Sequence, residues 1–124
     1  MTHIYHITTR MAAHLASQSG EYRAESLASE GFIHCSRISQ VLDVANAFYV
    51  AQTGLVILVI ETSLLKAPLK FEAPVHPRSS ASAPATGDRF PHIYGPLNFD
   101  AVENVIDFPA NADGRFDLPA SLPS

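Results

Sequence analysis

A chain of 124 residues with 47% apolar composition can bury one hydrophobic core and leaves no room for a second domain. A net charge of -4, with only 8 Lys and Arg spread along the chain, gives no indication of a basic groove for nucleic acid or for an anionic membrane surface. The single cysteine, Cys35, excludes a disulfide framework and a multi-cysteine zinc site, so packing must stabilise the domain. Met1-Thr2-His3-Ile4-Tyr5-His6 lacks the basic and then apolar regions of a secretory leader, and the longest apolar run, Leu55 to Ile60, is too short to span a bilayer. The expectation is a cytoplasmic protein whose partner is a small polar ligand, without nucleic acid or membrane.

Residues 2 to 8 mix β-branched and aromatic side chains and predict a first strand, with Ile4, His6 and Thr8 on one face and His3, Tyr5 and Ile7 on the other. Thr8 or Thr9 then caps a helix through about Gln18, which Gly20 ends. Glu21 to Glu30 is polar and predicts an irregular connector that offers Tyr22 and Arg23 to a ligand. A strand follows over 31–36, placing Phe32, His34 and Ser36 on one side and Ile33 and Cys35 on the other. Ser39 can cap a helix carrying Val41, Leu42, Val44, Ala45, Phe48 and Tyr49 as an apolar stripe, closed by Thr53-Gly54.

The run Leu55 to Ile60 has strand length and β-branched composition, and predicts a central strand covered on both faces. One helical turn over Thr62 to Lys66 and a strand over Leu69 to Glu72 come next. Ala73 to Asp88, rich in proline and serine, reads as a loop. Phe90 to Leu97 is extended by its prolines, with a sharp turn at Gly95, and a last strand over Val102 to Phe108 precedes a proline-bearing tail. The domain is therefore 1–108 and the tail 109–124.

Six histidines suggest a metal, yet His3 and His6 fall on opposite strand faces and none lies one helical turn from a carboxylate or another histidine in the usual zinc-binding arrangement, so no metal site is expected. Cys35 shows no base on its own face and reads as a small buried hydrophobe. Glycine-rich phosphate loops and a serine nucleophile elbow are absent. Glu61, Glu72 and Glu103 fall at separate strand ends, with nothing to set two of them across one cleft. Three histidines remain inside apolar or aromatic runs: His6, His34 and His92. A pocket lined by them and by tyrosines suits a ligand with an aromatic ring and hydroxyls.

The segments Ile4 to Thr8, Gly20 to Arg23, Glu30 to Ser36 and Phe90 to Leu97 together resemble the DUF952 family of small bacterial proteins, over the chain up to about Phe108. That family is similar to the ADP-ribosyltransferase superfamily, and in particular to the catalytic half of the NAD-using RNA 2'-phosphotransferases. The resemblance implies an α+β, ADP-ribosyltransferase-like fold: two small, mainly antiparallel sheets around a cleft, with two main helices. By position it implies catalytic roles for His34 and His92, and NAD-binding roles for His6, Thr8, Tyr22, Arg23, Ser36 and Tyr94. Many toxin-like members carry a glutamate in the third motif, where this sequence has His92 and Tyr94 and no acid.

Two functions fit these residues. One is an enzyme that binds or processes NAD, with ADP-ribosyl or phosphoryl transfer as the class of reaction. The other is a non-catalytic module that keeps the cleft for a nucleotide. Glutathione transferase does not fit, because the chain is short and lacks a thioredoxin-like start followed by a helical domain.

Overall fold

The computed structural model describes residues 2–73 and 89–122. The loop expected over Ala73 to Asp88 lies almost wholly outside the described residues. Strand β1 (His3–Thr9) leads into helix α1 (Arg10–Ser19), and strand β2 (Glu21–Tyr22) into helix α2 (Glu25–Glu30). Strand β3 (Ile33–His34) precedes helix α3 (Val41–Phe48) and strand β4 (Leu55–Glu61). Strands β5 (Leu69–Glu72), β6 (Phe90–Ile93), β7 (Leu97–Asn98) and β8 (Val102–Asp107) complete the described elements. They form an α+β fold of three antiparallel sheets, ordered β1-β4-β8, β2-β7 and β3-β6-β5. The described residues thus hold one sheet more than the two expected, and one short helix more.

β4 is the centre of the largest sheet, and all seven of its residues are buried, as the unbroken apolar run requires. On one face Ile4, Val56, Leu58 and Ile60 pack with Ala13 and Ala16 of α1 and with Ile33, Ile93 and Leu97 of the small sheets. On the other, Tyr5, Ile7, Ile57 and Val59 pack with Val41 and Ala45 of α3, and with Phe108 and Phe116. Phe116 stacks on Phe108 at 4.7 Å, and Asn46 of α3 pairs with both the N–H and the carbonyl of Phe116. The proline-bearing tail therefore supplies part of this second core.

Thr9 caps α1, its hydroxyl accepting from the Ala12 N–H, and Gly20 ends the helix as expected. Three local expectations differ. The connector Glu21 to Glu30 contains β2 and α2; α2 has no side-chain cap and no buried residue, so neither capping nor apolar periodicity announces it. The strand expected over 31–36 pairs with β6 only at Ile33 and His34, because Gly31 ends α2 at a φ of 90° and Ser36 pairs with Tyr5 of β1. The segment changes partners rather than ending. Finally, α3 starts after Gln40 instead of a Ser39 cap, with the Gln40 amide oxygen accepting from the Arg37 N–H and its amide nitrogen donating to the Arg89 carbonyl.

Candidate functional site

The handover at residues 33–36 brings together three motifs that are far apart in sequence. His34 and His92 are register partners across β3 and β6, and their rings meet edge to face with centroids 5.4 Å apart. Phe32 stacks on the His92 ring at 4.1 Å, meets His34 at 4.8 Å and lies 5.3 Å from Tyr94. Ile33 and Cys35 turn the other way into the core, as the alternation predicts. Burial pushes the Cys35 thiol far up, so it stays protonated and cannot serve as a nucleophile. After Ile93 the chain must bend sharply at Gly95, whose φ is 156°; a methyl there would meet the Ala67 side chain at 2.9 Å.

A carboxylate completes this cluster from a strand that no local pattern ties to it. Glu72 of β5 sits diagonally across from His92, since Lys70 pairs with His92 and Glu72 with Phe90. His92 Nδ1–H donates to Glu72 Oε1 at 2.8 Å, and the Tyr94 hydroxyl donates to the same oxygen at 2.5 Å. Those bonds, Tyr94's first, hold the Glu72 carboxyl below its usual range, and the same hydrogen bond to Glu72 pushes the Tyr94 hydroxyl up. His92 Nε2 is buried and has no hydrogen-bond partner among the described residues. With its proton on the Nδ1 side, that nitrogen presents a lone pair. His34 Nε2 lies 3.1 Å from Glu30 Oε2, at the end of α2.

The first motif joins through hydrogen bonds. His6 Nδ1–H donates to the His34 carbonyl at 2.5 Å, and His6 Nε2 lies 2.8 Å from the Tyr22 hydroxyl, which is 3.0 Å from Thr8 Oγ1. Burial lowers the His6 pKa to about 4, so the ring is neutral at pH 7. A neutral ring protonated at Nδ1 needs a donor at Nε2, which assigns the Tyr22 proton to His6 and leaves Thr8 to donate to Tyr22. His6, Thr8 and Tyr22 are all buried, so their polar atoms are committed to one another.

Of the residues expected from sequence, His34, His92 and Tyr94 share one aromatic cluster, and His6, Thr8 and Tyr22 form the adjoining hydrogen-bonded chain. Tyr22 and Arg23 also line an open groove of about 560 Å³ beside Ala12 and Leu15, and Arg23 Nε donates to Glu21 at 2.6 Å. Ser36 is buried and its backbone pairs with Tyr5, which places it in the sheet connection. Phe32, Glu72 and Glu30 were missed. Phe32 was legible as a neighbour on the His34 face; no local pattern marks Glu72, whose position depends on the β5–β6 register.

A further departure lies on the opposite face of the largest sheet. His3 Nε2, Glu61 and Glu103 oxygens lie within 4.8 Å of one another, although the two glutamates are far apart in sequence and showed no sign of a shared site. Among the described residues, no helix is long and apolar enough to cross a membrane.

The crystal structure of protein CC0527 from Caulobacter crescentus is 32% identical, with 94% of each chain covered and a TM-score of 0.78. The solution structure of CC0527 is 29% identical over 94% of this chain and 93% of that one, with a TM-score of 0.68. No curated protein matches the chain. The family model described as "Protein of unknown function (DUF952)" matches residues 7–105, and the chain belongs to that family.

Proposed function

We propose that this protein binds an NAD-type nucleotide at the His34–His92 cluster and processes it as an ADP-ribosyltransferase-like enzyme. The observation that carries this reading is the pairing of His92 with Glu72. The carboxylate fixes the ring and its proton, and Nε2 is left buried, without a partner among the described residues, beside the rings of Phe32 and His34. A histidine oriented in this way is suited to take a proton from an acceptor group, an effect typically worth about 10²- to 10⁴-fold in rate. NAD supplies a transferable ADP-ribosyl group when nicotinamide departs. The residues fit such a ligand in kind: the half-buried rings of His34 and Tyr94 for a nicotinamide or adenine to stack on, and an ionised carboxylate at Glu72.

Glu72 supports the reading in a second way, because it brings an acid to the third motif from outside it. The alternative is a nucleotide-binding module without turnover. It is favoured by the closed bonding of His6, Tyr22 and Thr8, which makes those side chains part of the fold rather than donors to a ribose. Incubation with NAD, followed by chromatography, separates the two. The enzyme releases nicotinamide, and His92→Gln abolishes the release while the fold is retained. The module shows a rise in melting temperature with NAD or ADP-ribose and no nicotinamide. Absence of both effects overturns the nucleotide reading.

A further inference from the structure

Strand β1 begins on the face opposite to His6, where His3 pairs directly with Glu61 of β4. β8 runs along the other side of β4 in steady register from Asp107 to Asn104, after which Ile60 pairs with Val102. Glu103 is the residue left over, so it sits in a β-bulge. Bulges re-aim side chains, and this one directs Glu103 Oε1 to 2.7 Å from His3 Nε2. Glu61 Oε1 lies 3.7 Å from the same nitrogen.

Glu61 separates this group from an ordinary surface ion pair. It is 2% exposed, and its Oε2 accepts from the Ser63 N–H at 3.0 Å and from the Ser63 hydroxyl at 2.8 Å. Its Oε1 is buried with no hydrogen-bond partner among the described residues. A carboxylate oxygen left bare inside a protein is costly unless something positive meets it. We propose that His3, Glu61 and Glu103 form a binding site for one zinc-class divalent cation, with Glu61 Oε1 as its buried ligand. Imidazole and carboxylate are both ordinary ligands of such an ion, and three protein ligands leave a fourth position for water.

The geometry needs little adjustment. Bonds of about 2.0–2.2 Å in a tetrahedral site put neighbouring ligand atoms roughly 3.3–3.6 Å apart. The His3–Glu61 separation of 3.7 Å already matches, and Glu103, 41% exposed, has room to move back from His3. That exposure also provides the entry path. The Ser63 bonds to Oε2 hold Glu61 in place as an outer shell would. The site lies on the other face of the sheet from His6, so it is independent of the nucleotide reading.

The test is calorimetric titration of the full-length chain with zinc chloride, together with the visible absorption of the cobalt(II) form. One zinc ion per chain is expected, with a cobalt spectrum of low coordination number and a higher melting temperature in the presence of zinc. His3→Ala and Glu103→Gln should each weaken binding on the order of tenfold or more. Glu103 is exposed on an edge strand, so Glu103→Gln keeps the fold and the experiment remains decisive even if Glu61→Gln does not fold. A wild-type chain that takes up no stoichiometric zinc overturns the proposal. So does zinc binding of equal strength in His3→Ala and Glu103→Gln.

Discussion

On each side of the molecule a histidine meets a glutamate from a neighbouring strand, and the two pairings leave opposite kinds of atom bare. At the His92–Glu72 pair one carboxylate oxygen accepts two hydrogen bonds, from His92 and Tyr94, and the atom bare among the described residues is the nitrogen His92 Nε2. At the His3–Glu61–Glu103 group the nitrogen is engaged by Glu103, and the atom bare among the described residues is the oxygen Glu61 Oε1. A buried lone pair on an oriented imidazole is a base. A buried anionic oxygen beside a second carboxylate calls for a cation. The same two residue types thus support different chemistry according to which partner the register leaves unsatisfied.

The largest test of this contrast is Phe32→Ala. Phe32 is 6% exposed and touches His34, His92 and Tyr94, so removing it should cost about 3–5 kcal/mol in denaturant unfolding. It should also abolish any nucleotide-induced thermal shift while leaving zinc binding within twofold, roughly the change expected for a distant site. Loss of both functions in a folded variant would join two regions that are separate here.

Next is the acid side of stability. His6 has a folded pKa of about 4, below the 6.5 of a free histidine, so the unfolded chain binds more protons in that window. Stability is therefore full above pH 6.5 and falls as pH drops from 6.5 to 4, by roughly 3 kcal/mol at most. Urea unfolding at stepped pH values should show this slope, and His6→Asn should flatten it. An unchanged slope in that variant would mean the ring is not buried in its neutral form.

Glu72→Gln is the narrower test of the base. The hydrogen bond its carboxylate accepts, and then its charge, hold the Tyr94 hydroxyl proton, so the variant should bring the Tyr94 titration down toward the ordinary tyrosine value, as read by ultraviolet difference absorption. Any turnover should fall by about 10²-fold or more as His92 loses its anionic partner. A titration that does not move would detach Glu72 from the cluster. The smallest effect belongs to Cys35→Ala, which should cost roughly 1 kcal/mol and leave nucleotide binding unchanged. In the native chain the thiol should resist alkylation until denaturant is added, because it is buried and protonated.

Local chemistry made much of this protein legible in advance. The Leu55 to Ile60 run read as a central strand buried on both faces, from its strand length, its lack of alternation and its β-branched side chains, and β4 is that strand. Thr9 and Gly20 bracket α1 because a hydroxyl and a glycine satisfy its ends. Alternation also separated Phe32 and His34 from Ile33 and Cys35. The weak points were short segments held by tertiary pairing: α2 buries nothing of its own, and Gln40 replaces Ser39 by reaching across to Arg89.

Sequence alone placed His6, His34 and His92 inside apolar runs and set Phe32 and His34 on one side of their strand, opposite Ile33 and Cys35, because strand period is a property of a few neighbouring residues. Only the tertiary structure decided their partners. Glu72 reaches His92 through the β5–β6 register, and Glu103 reaches His3 through a one-residue bulge in β8. A shift of a single residue in either pairing would turn the carboxylate to the other face. Register is set by the packing of whole sheets, and no short stretch of sequence records it.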